Sequence, residues 1–283
     1  MKQRYEGKRV RTLKVKPINN FIVISDVHLR EPDDNITQLF LKTLDNILNE
    51  RVSNQKKIDA LFLLGDIFDF ITGSKKFFLK MWKSVFEKFK QLKESGIQVY
   101  FIEGNHDFGF EHFRSKKLDE YFTNYGDCSI EFIHEKTGNI VLRHGDDLIC
   151  PEKYIKFRQF VKSKFFQKIT SFLFAGFFMH FLFSRYAKAS RLQDVYRKIE
   201  PNFIKTCLDK YFLFYMSEFN KKINILIIGH IHVFINTYYK DTHILVGPDW
   251  FSAPNYLYYN EDGVSERVYC DNKIQKEFQL NNL

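Results

Sequence analysis

The sequence predicts an α/β fold on two observations. Five short apolar runs lack the alternation of a half-exposed strand, and each is followed at once by a cluster of polar side chains able to bind a ligand. Amphipathic stretches with helical spacing lie between several of them. Runs of Val, Ile, Leu and Phe without alternation suit strands covered on both faces. In open sheets of this kind ligands bind just beyond the carboxyl ends of the strands. The runs and clusters are FIVI then Ser25, Asp26, Val27, His28; LFLL then Gly65, Asp66 and, further on, Asp69; VYFI then Glu103, Gly104, Asn105, His106, Asp107; IVLR then His144, Gly145, Asp146; and ILII then Gly229, His230, Ile231, His232. Five strand ends would deliver Asp26, His28, Asp66, Asn105, His144, His230 and His232 to one place.

With 283 residues and 45% hydrophobic content the chain can bury a sizeable core, as one large domain or one domain with an insertion. The expected division is a basic arm over residues 1–18 and a single domain over 19–283 that carries a helical insertion at 151–222. The cysteines Cys128, Cys150, Cys207 and Cys270 form no CxxC pair, and the N-terminus is basic without an apolar signal core. Both features favour a reducing cytoplasm. A formal charge of +9 together with 32 phenylalanines points to an anionic partner with an apolar part.

Along the chain, the arm holds Lys2, Arg4, Lys8, Arg9, Arg11, Lys14 and Lys16 against Glu6, and reads as solvated, with VRTLKV as an edge strand. Residues 20–25 form the first buried strand. Side chains two apart on an extended backbone face one side, so Asp26 and His28 can grip one ion together. Ile36, Leu39, Phe40, Leu44, Ile47 and Leu48 predict a crossover helix over 35–50. The strand 60–64 delivers Asp66, the carboxylate expected to bridge two metal ions. Residues 75–95 read as a second amphipathic helix ended by Gly96, with Trp82, Phe86 and Phe89 in the core. The strand 97–102 delivers Asn105, whose amide oxygen suits a hard or borderline divalent ion. Residues 112–125 read as helical, and 128–143 as two strands ending at His144. Asp107 or Asp146 is placed to orient a neighbouring imidazole.

From 153 to 222 there are fifteen Lys and Arg against four acids, so the basicity is local. Within this segment ITSFLFAGFFMHFLF, residues 169–183, is shorter than the roughly 20 residues needed to cross a bilayer. It reads either as a buried helical hairpin or as a lid whose apolar side meets acyl chains while Lys and Arg meet head groups. After residue 222 the chain returns to strands, with FINTYY, HILVGPDW, YLYY and VYC expected as antiparallel strands of a second sheet.

Together SDVHL, GDIFD, GNHD, HGD and GHIH, in this order, resemble the calcineurin-like metallophosphoesterases over about residues 20–250. The resemblance implies a four-layer fold, two packed mixed β-sheets flanked by helices, with two metal ions at the strand ends. It places one ion on Asp26, His28, Asp66 and His232, and the other on Asp66, Asn105, His144 and His230. Manganese is expected first, with iron or zinc as alternatives, since mixed imidazole, carboxylate and amide ligands suit all three. His106 resembles the family histidine that contacts phosphate and protonates the leaving group, helped by Asp107.

Within that family SDVHL, LGDIFDF, GNHDF, HGDDLICPEKYIKFRQF and LVGPDWF resemble the UDP-2,3-diacylglucosamine diphosphatases of lipid A synthesis. That resemblance implies a lipid-linked UDP-sugar as substrate and a cytoplasmic enzyme at the inner-leaflet membrane surface. It makes Tyr154, Arg158, Arg185, Lys188, Ser190 and Arg191 candidate substrate contacts beside Asn105 and His106. At His106 that branch carries arginine, so the third motif has the generic phosphoesterase form. The alternative reading is a soluble phosphodiesterase acting on nucleotides or nucleic acid, and a third is a non-catalytic scaffold. Nucleic acid is not the expected partner.

Overall fold

The central strands are apolar throughout because they are packed on both faces. In β2 (Phe21–Ile24) and β3 (Ala60–Leu64) every residue is buried. Alternate side chains enter different cores: Phe21, Val23 and Phe62 face one, while Ile22, Ile24, Leu61 and Leu63 face another. A strand with no solvent face has no polar alternation to display. The computed structural model describes residues 11–53, 57–71, 75–110, 118–150, 152–170, 201–247, 250 and 253–270. Of the residues singled out above, Arg185, Lys188, Ser190 and Arg191, the first ten residues and most of 169–183 lie outside them.

Two six-stranded mixed sheets form the centre. The first runs, in spatial order, β12 (Ser265–Tyr269), β11 (Asn255–Tyr259), β2, β3, β4 (Gln98–Ile102) and β5 (Asn124–Gly126). The second runs β1 (Arg11–Lys14), β6 (Cys128–His134), β7 (Gly138–Arg143), β8 (Ile225–Ile228), β10 (Thr242–Val246) and β9 (Ile235–Tyr239). Strands β2 to β5 are parallel to one another, as are β7, β8 and β10. Phe21, Phe62 and Phe132 lock the sheets face to face, with Phe62 stacked on Phe132 at 5.6 Å between ring centroids. Outside the first sheet lie helices α1 (Asn35–Val52) and α3 (Lys83–Glu94), which bury Phe40, Leu44, Ile47, Val85, Phe86 and Phe89. Outside the second lies the helix Pro201–Phe219, burying Ile204, Leu208, Tyr211 and Tyr215. The result is four layers, helices on sheet on sheet on helix, as the resemblance implies.

Helix α1 starts at Asp34, whose side chain accepts the Thr37 N–H at 2.7 Å, a standard way of satisfying a free helix-end donor. Three expectations need correction. The helix expected over 75–95 is two, α2 (Lys75–Met81) and α3, because Trp82 leaves helical geometry (φ −99°, ψ 27°) with its indole buried against Phe68. Only α4 (Leu118–Tyr121) is helical among the described residues of 112–125; residues 124–126 instead extend the first sheet, where pairing with β4 supplies their backbone partners. The late strands divide between the sheets: β9 and β10 lie antiparallel in the second, as expected, whereas β11 and β12 belong to the first. Strands β9 and β10 join β8, while β11 returns to pair antiparallel with β2. The segment VRTLKV supplies β1 at a sheet edge. The basic segment contributes α5 (Glu152–Val161), α6 (Lys164–Thr170) and α7, the helix Pro201–Phe219. Among the described residues no helix is long and apolar enough to cross a membrane.

Candidate metal centre

Strands β2, β3 and β4 of one sheet and β7 and β8 of the other end at a shared edge. Five of the side chains delivered there, Asp26, His28, Asp66, His230 and His232, sit at φ between 50° and 71°. That left-handed region costs a non-glycine residue roughly 1–2 kcal/mol, with Asp and His among the types that tolerate it better. Among the described residues the other non-glycine positions at positive φ are Asn220 and Lys240, so the backbone strain described is gathered mostly at this edge. Two glycines make room for it. A Cβ on Gly104 would overlap the Asp66 carboxylate, and one on Gly229 would overlap Ser25 Oγ and the Asp26 carboxylate.

Ligand atoms of Asp26, His28 and His232 lie within 4.8 Å of one another, and so do those of Asp66, His144 and His230. Asp66 stands between the groups. Its Oδ2 is 3.7 Å from His28 Nε2 and 3.6 Å from His144 Nε2, while its Oδ1 accepts the His106 N–H at 2.9 Å. Asn105 Oδ1 is 3.1 Å from His144 Nε2, and Asp26 receives the His230 N–H at 3.1 Å. All seven sequence-predicted ligands therefore meet. Asp66 Oδ2 and His230 Nδ1 are buried yet have no hydrogen-bond partner among the described residues. Buried polar atoms are nearly always satisfied. Separations near 3.6 Å, too long for hydrogen bonds, suit donor atoms that share a cation. The residues present thus fit divalent metal ions.

The rings are oriented by backbone carbonyls. His144 Nδ1 donates to Leu64 O at 2.8 Å, which aims Nε2 at Asp66 and Asn105. His106 Nδ1 donates to Asp69 O at 2.9 Å and leaves Nε2 for a ligand. Neither Asp107 nor Asp146 orients an imidazole, contrary to expectation. Asp107 accepts the N–H groups of Asp66, Ile67, Phe68 and Gly104 at 2.7–3.1 Å, so it holds the β3 loop rather than assisting His106. Asp146 instead receives Arg158 Nε at 2.6 Å.

Burial lowers the His28 pKa to about 4, and burial together with nearby His144 lowers His230 to about 3. Both rings are neutral and able to coordinate. Burial also opposes charge on His144, but Asp66 beside it raises its pKa to about 10. Burial raises Asp26, whereas Asp66 is held well below the ordinary carboxylate range, against its own burial, by His144 and His106. The carboxylate between the two groups is thus the one most firmly held as an anion.

Of the predicted substrate contacts, Tyr154 lies at the rim with its hydroxyl 3.4 Å from Asp146. Arg158 is not free to meet a phosphate. Its Nε is on Asp146, and its Nη1 and Nη2 are on Asp127 at 3.1 and 2.5 Å. Sequence reasoning gave no role to Asp69, whose Oδ1 is 3.4 Å from His28 Nδ1, nor to Ser25, Glu103, Asp127 and Lys162. The second carboxylate of GDIFD was the available signal for Asp69. Asp127 directly follows β5, which was read as helix.

Residues 20–234 match the family model for calcineurin-like phosphoesterases, and the chain belongs to that family. It is a metal-dependent phosphoester hydrolase. In sequence it is 30% identical to a UDP-2,3-diacylglucosamine hydrolase of Vibrio vulnificus, over 86% of this chain and 95% of the relative. It is 29% identical to the proteins of that name from Haemophilus influenzae, over 80% and 89%, and Neisseria gonorrhoeae, over 74% and 80%. Among solved structures it is similar to a dimetal phosphatase from Danio rerio, at 14% identity and a TM-score of 0.45, covering 90% of this chain and 100% of that one.

Proposed function

We propose that this chain cleaves the pyrophosphate of UDP-2,3-diacylglucosamine to UMP and 2,3-diacylglucosamine 1-phosphate, a step of lipid A synthesis. Two divalent ions, manganese first, would be held by Asp26, His28, Asp66 and His232 and by Asp66, Asn105, His144 and His230. The observation that carries the two-ion reading is the unpartnered Oδ2 of Asp66, lying 3.7 Å from His28 and 3.6 Å from His144, one histidine of each set. The substrate reading is supported by the names of the relatives, which align over most of both chains.

Such a pair of ions, when bound, neutralises the diphosphate and provides a hydroxide nucleophile at neutral pH. The chain's own residues do the rest. Asp66 keeps the two ligand sets at a fixed spacing, with its second oxygen tied to the His106 N–H. His144 presents Nε2 because its Nδ1 proton is given to Leu64 O. His106, fixed through Nδ1 and half exposed, offers Nε2 to the oxygen that leaves with the sugar phosphate. Hydrolysis adds oxygen to the uridylyl phosphorus and breaks its bond to the bridging oxygen, and the proton goes to the departing phosphate. The enzyme would work in the cytoplasm on the inner-leaflet surface. Exposed Phe157, Phe160 and Phe165, set among Lys156, Lys164 and Lys168, support that placement, as does the absence of any acid from 153 to 193.

UMP release from UDP-2,3-diacylglucosamine with manganese, native protein against Asp66→Ala, tests the reading. Turnover by the native chain and none by the variant is expected. If the native chain ignores this lipid yet cleaves a simple phosphodiester, the substrate assignment falls and the metal centre stands.

A further inference from the structure

Beside the ligand set lies a second group of buried charges that the reaction does not use. Arg158 lies in the last turn of α5 and Lys162 directly follows the helix, its N–H bonded to Arg158 O at 2.9 Å, so the two side chains leave from one side of that helix end. Arg158 grips Asp127 with both terminal nitrogens and Asp146 with Nε. Lys162 Nζ donates to Asp127 at 3.1 Å and lies 3.9 Å from Glu103 Oε2. All but Asp127 are nearly sealed from solvent. Asp146 lies two residues after His144, and Glu103 two residues before Asn105. We propose that Arg158 and Lys162 form a clamp through which α5 positions the half of the metal centre carried by Asn105 and His144. The proposal rests on the two-ion reading above.

The argument is one of placement and cost. Buried ion pairs rarely stabilise a fold more than apolar side chains of the same size would. The described residues form three apolar cores, so the clamp is not needed to hold the sheets together. What it does is fix loop positions. Three carboxylates that follow β4, β5 and β7 converge on two cations at the end of α5, and two of those loops carry proposed metal ligands. With His144 already held by Leu64 O, the Asp146 contact fixes the other end of the same short loop. A shift of α5 would then be passed to Asn105 and His144, while Asp26, His28 and His232 lie on loops the clamp does not touch. Arg158 and Lys162 are positioning residues on this account, and Arg158 is not a substrate contact.

Manganese binding to the native chain and to Arg158→Gln, measured by calorimetry and by metal content after dialysis, separates the possibilities. Two bound ions are expected for the native chain. In the variant one of them should weaken by about 10–100-fold, the usual effect of losing a group that orients a ligand, with the other unchanged. On a soluble phosphodiester kcat should fall while KM stays within about twofold, and Arg158→Lys should recover part of the loss. If the variant does not fold, Arg158→Lys, which keeps the charge but not the fork that spans Asp127 and Asp146, and Lys162→Met, which leaves the carboxylates Arg158 alone, carry the same test. Two ions bound at native affinity in the variants would overturn the clamp, and so would a rise in KM alone. A native chain that binds a single ion would overturn the two-ion reading instead.

Discussion

The sheet sandwich and the helices α5 and α6 treat phenylalanine in opposite ways. In the sandwich, Phe21 and Phe62 are fully buried and stacked with Tyr259, Tyr100 and Phe132 at 5.0–5.6 Å. On α5 and α6, Phe157, Phe160 and Phe165 are 50%, 54% and 69% exposed, interleaved with exposed lysines. The sandwich is held by apolar contact and can carry strained, ligand-bearing loops at its rim. Helix α5 is tied to the strand ends through the ion pairs of Arg158, and its Phe157 and Phe160 are left exposed. The difference teaches that apolar burial supports the loops where the site is gathered, whereas α5 and α6 leave three aromatic rings that the fold does not cover.

Metal removal should break this division most sharply. Chelation is expected to abolish hydrolysis, with recovery on adding manganese, and to lower the melting temperature. An ion that binds only the native state at a hundred times its Kd adds about 2.7 kcal/mol. Calorimetry with and without chelator checks this. A melt that ignores the chelator would show that the strained residues Asp26, His28, Asp66, His230 and His232 are not held by ions.

Phe62→Ala tests the other side of the comparison. Phe62 lies at the centre of the interface, stacked on Phe132 and Tyr100 and edge-on to Phe21. Its removal should cost about 3–5 kcal/mol in urea unfolding, the range for a buried aromatic cut to alanine. A loss under about 1 kcal/mol, the size of a minor repacking, would mean that the sheets do not share a tight core.

The same contrast explains what was legible in the sequence. Strands packed on both faces read as unbroken apolar runs, and the Asp, His and Asn at their ends pointed to the edge where these side chains meet. What failed depends on partners far away in the chain. The alternation in YLYY signals an antiparallel strand and says nothing of which sheet receives it; β11 pairs with β2, at the other end of the sequence. Asp107 was recognisable as a useful carboxylate, but its partners are backbone N–H groups some 40 residues earlier, which no motif encodes. Arg158 suggested a phosphate contact from its guanidinium alone; Asp127, which occupies that guanidinium, lies in a stretch whose strand was misread as helix.

The smallest expected effect on stability comes from replacing Phe157, Phe160 and Phe165 together by serine. Exposed side chains contribute little to folding, so each change should alter unfolding free energy by no more than about 0.5 kcal/mol. At a lipid surface these rings would instead be buried, and burying one Phe side chain is worth about 1.5–3 kcal/mol, so even one lost ring should weaken binding at least about tenfold. The measurement is sedimentation with anionic vesicles beside a urea unfolding curve for the same variant. Lost vesicle binding with unchanged unfolding, and unchanged turnover of a soluble phosphodiester, would sharpen the comparison to a single statement: the exposed rings of α5 and α6 serve a lipid surface and not the fold. Lost stability with unchanged vesicle binding would reverse it, because the rings would then be serving the fold, and the lysines beside them would have no lipid to meet.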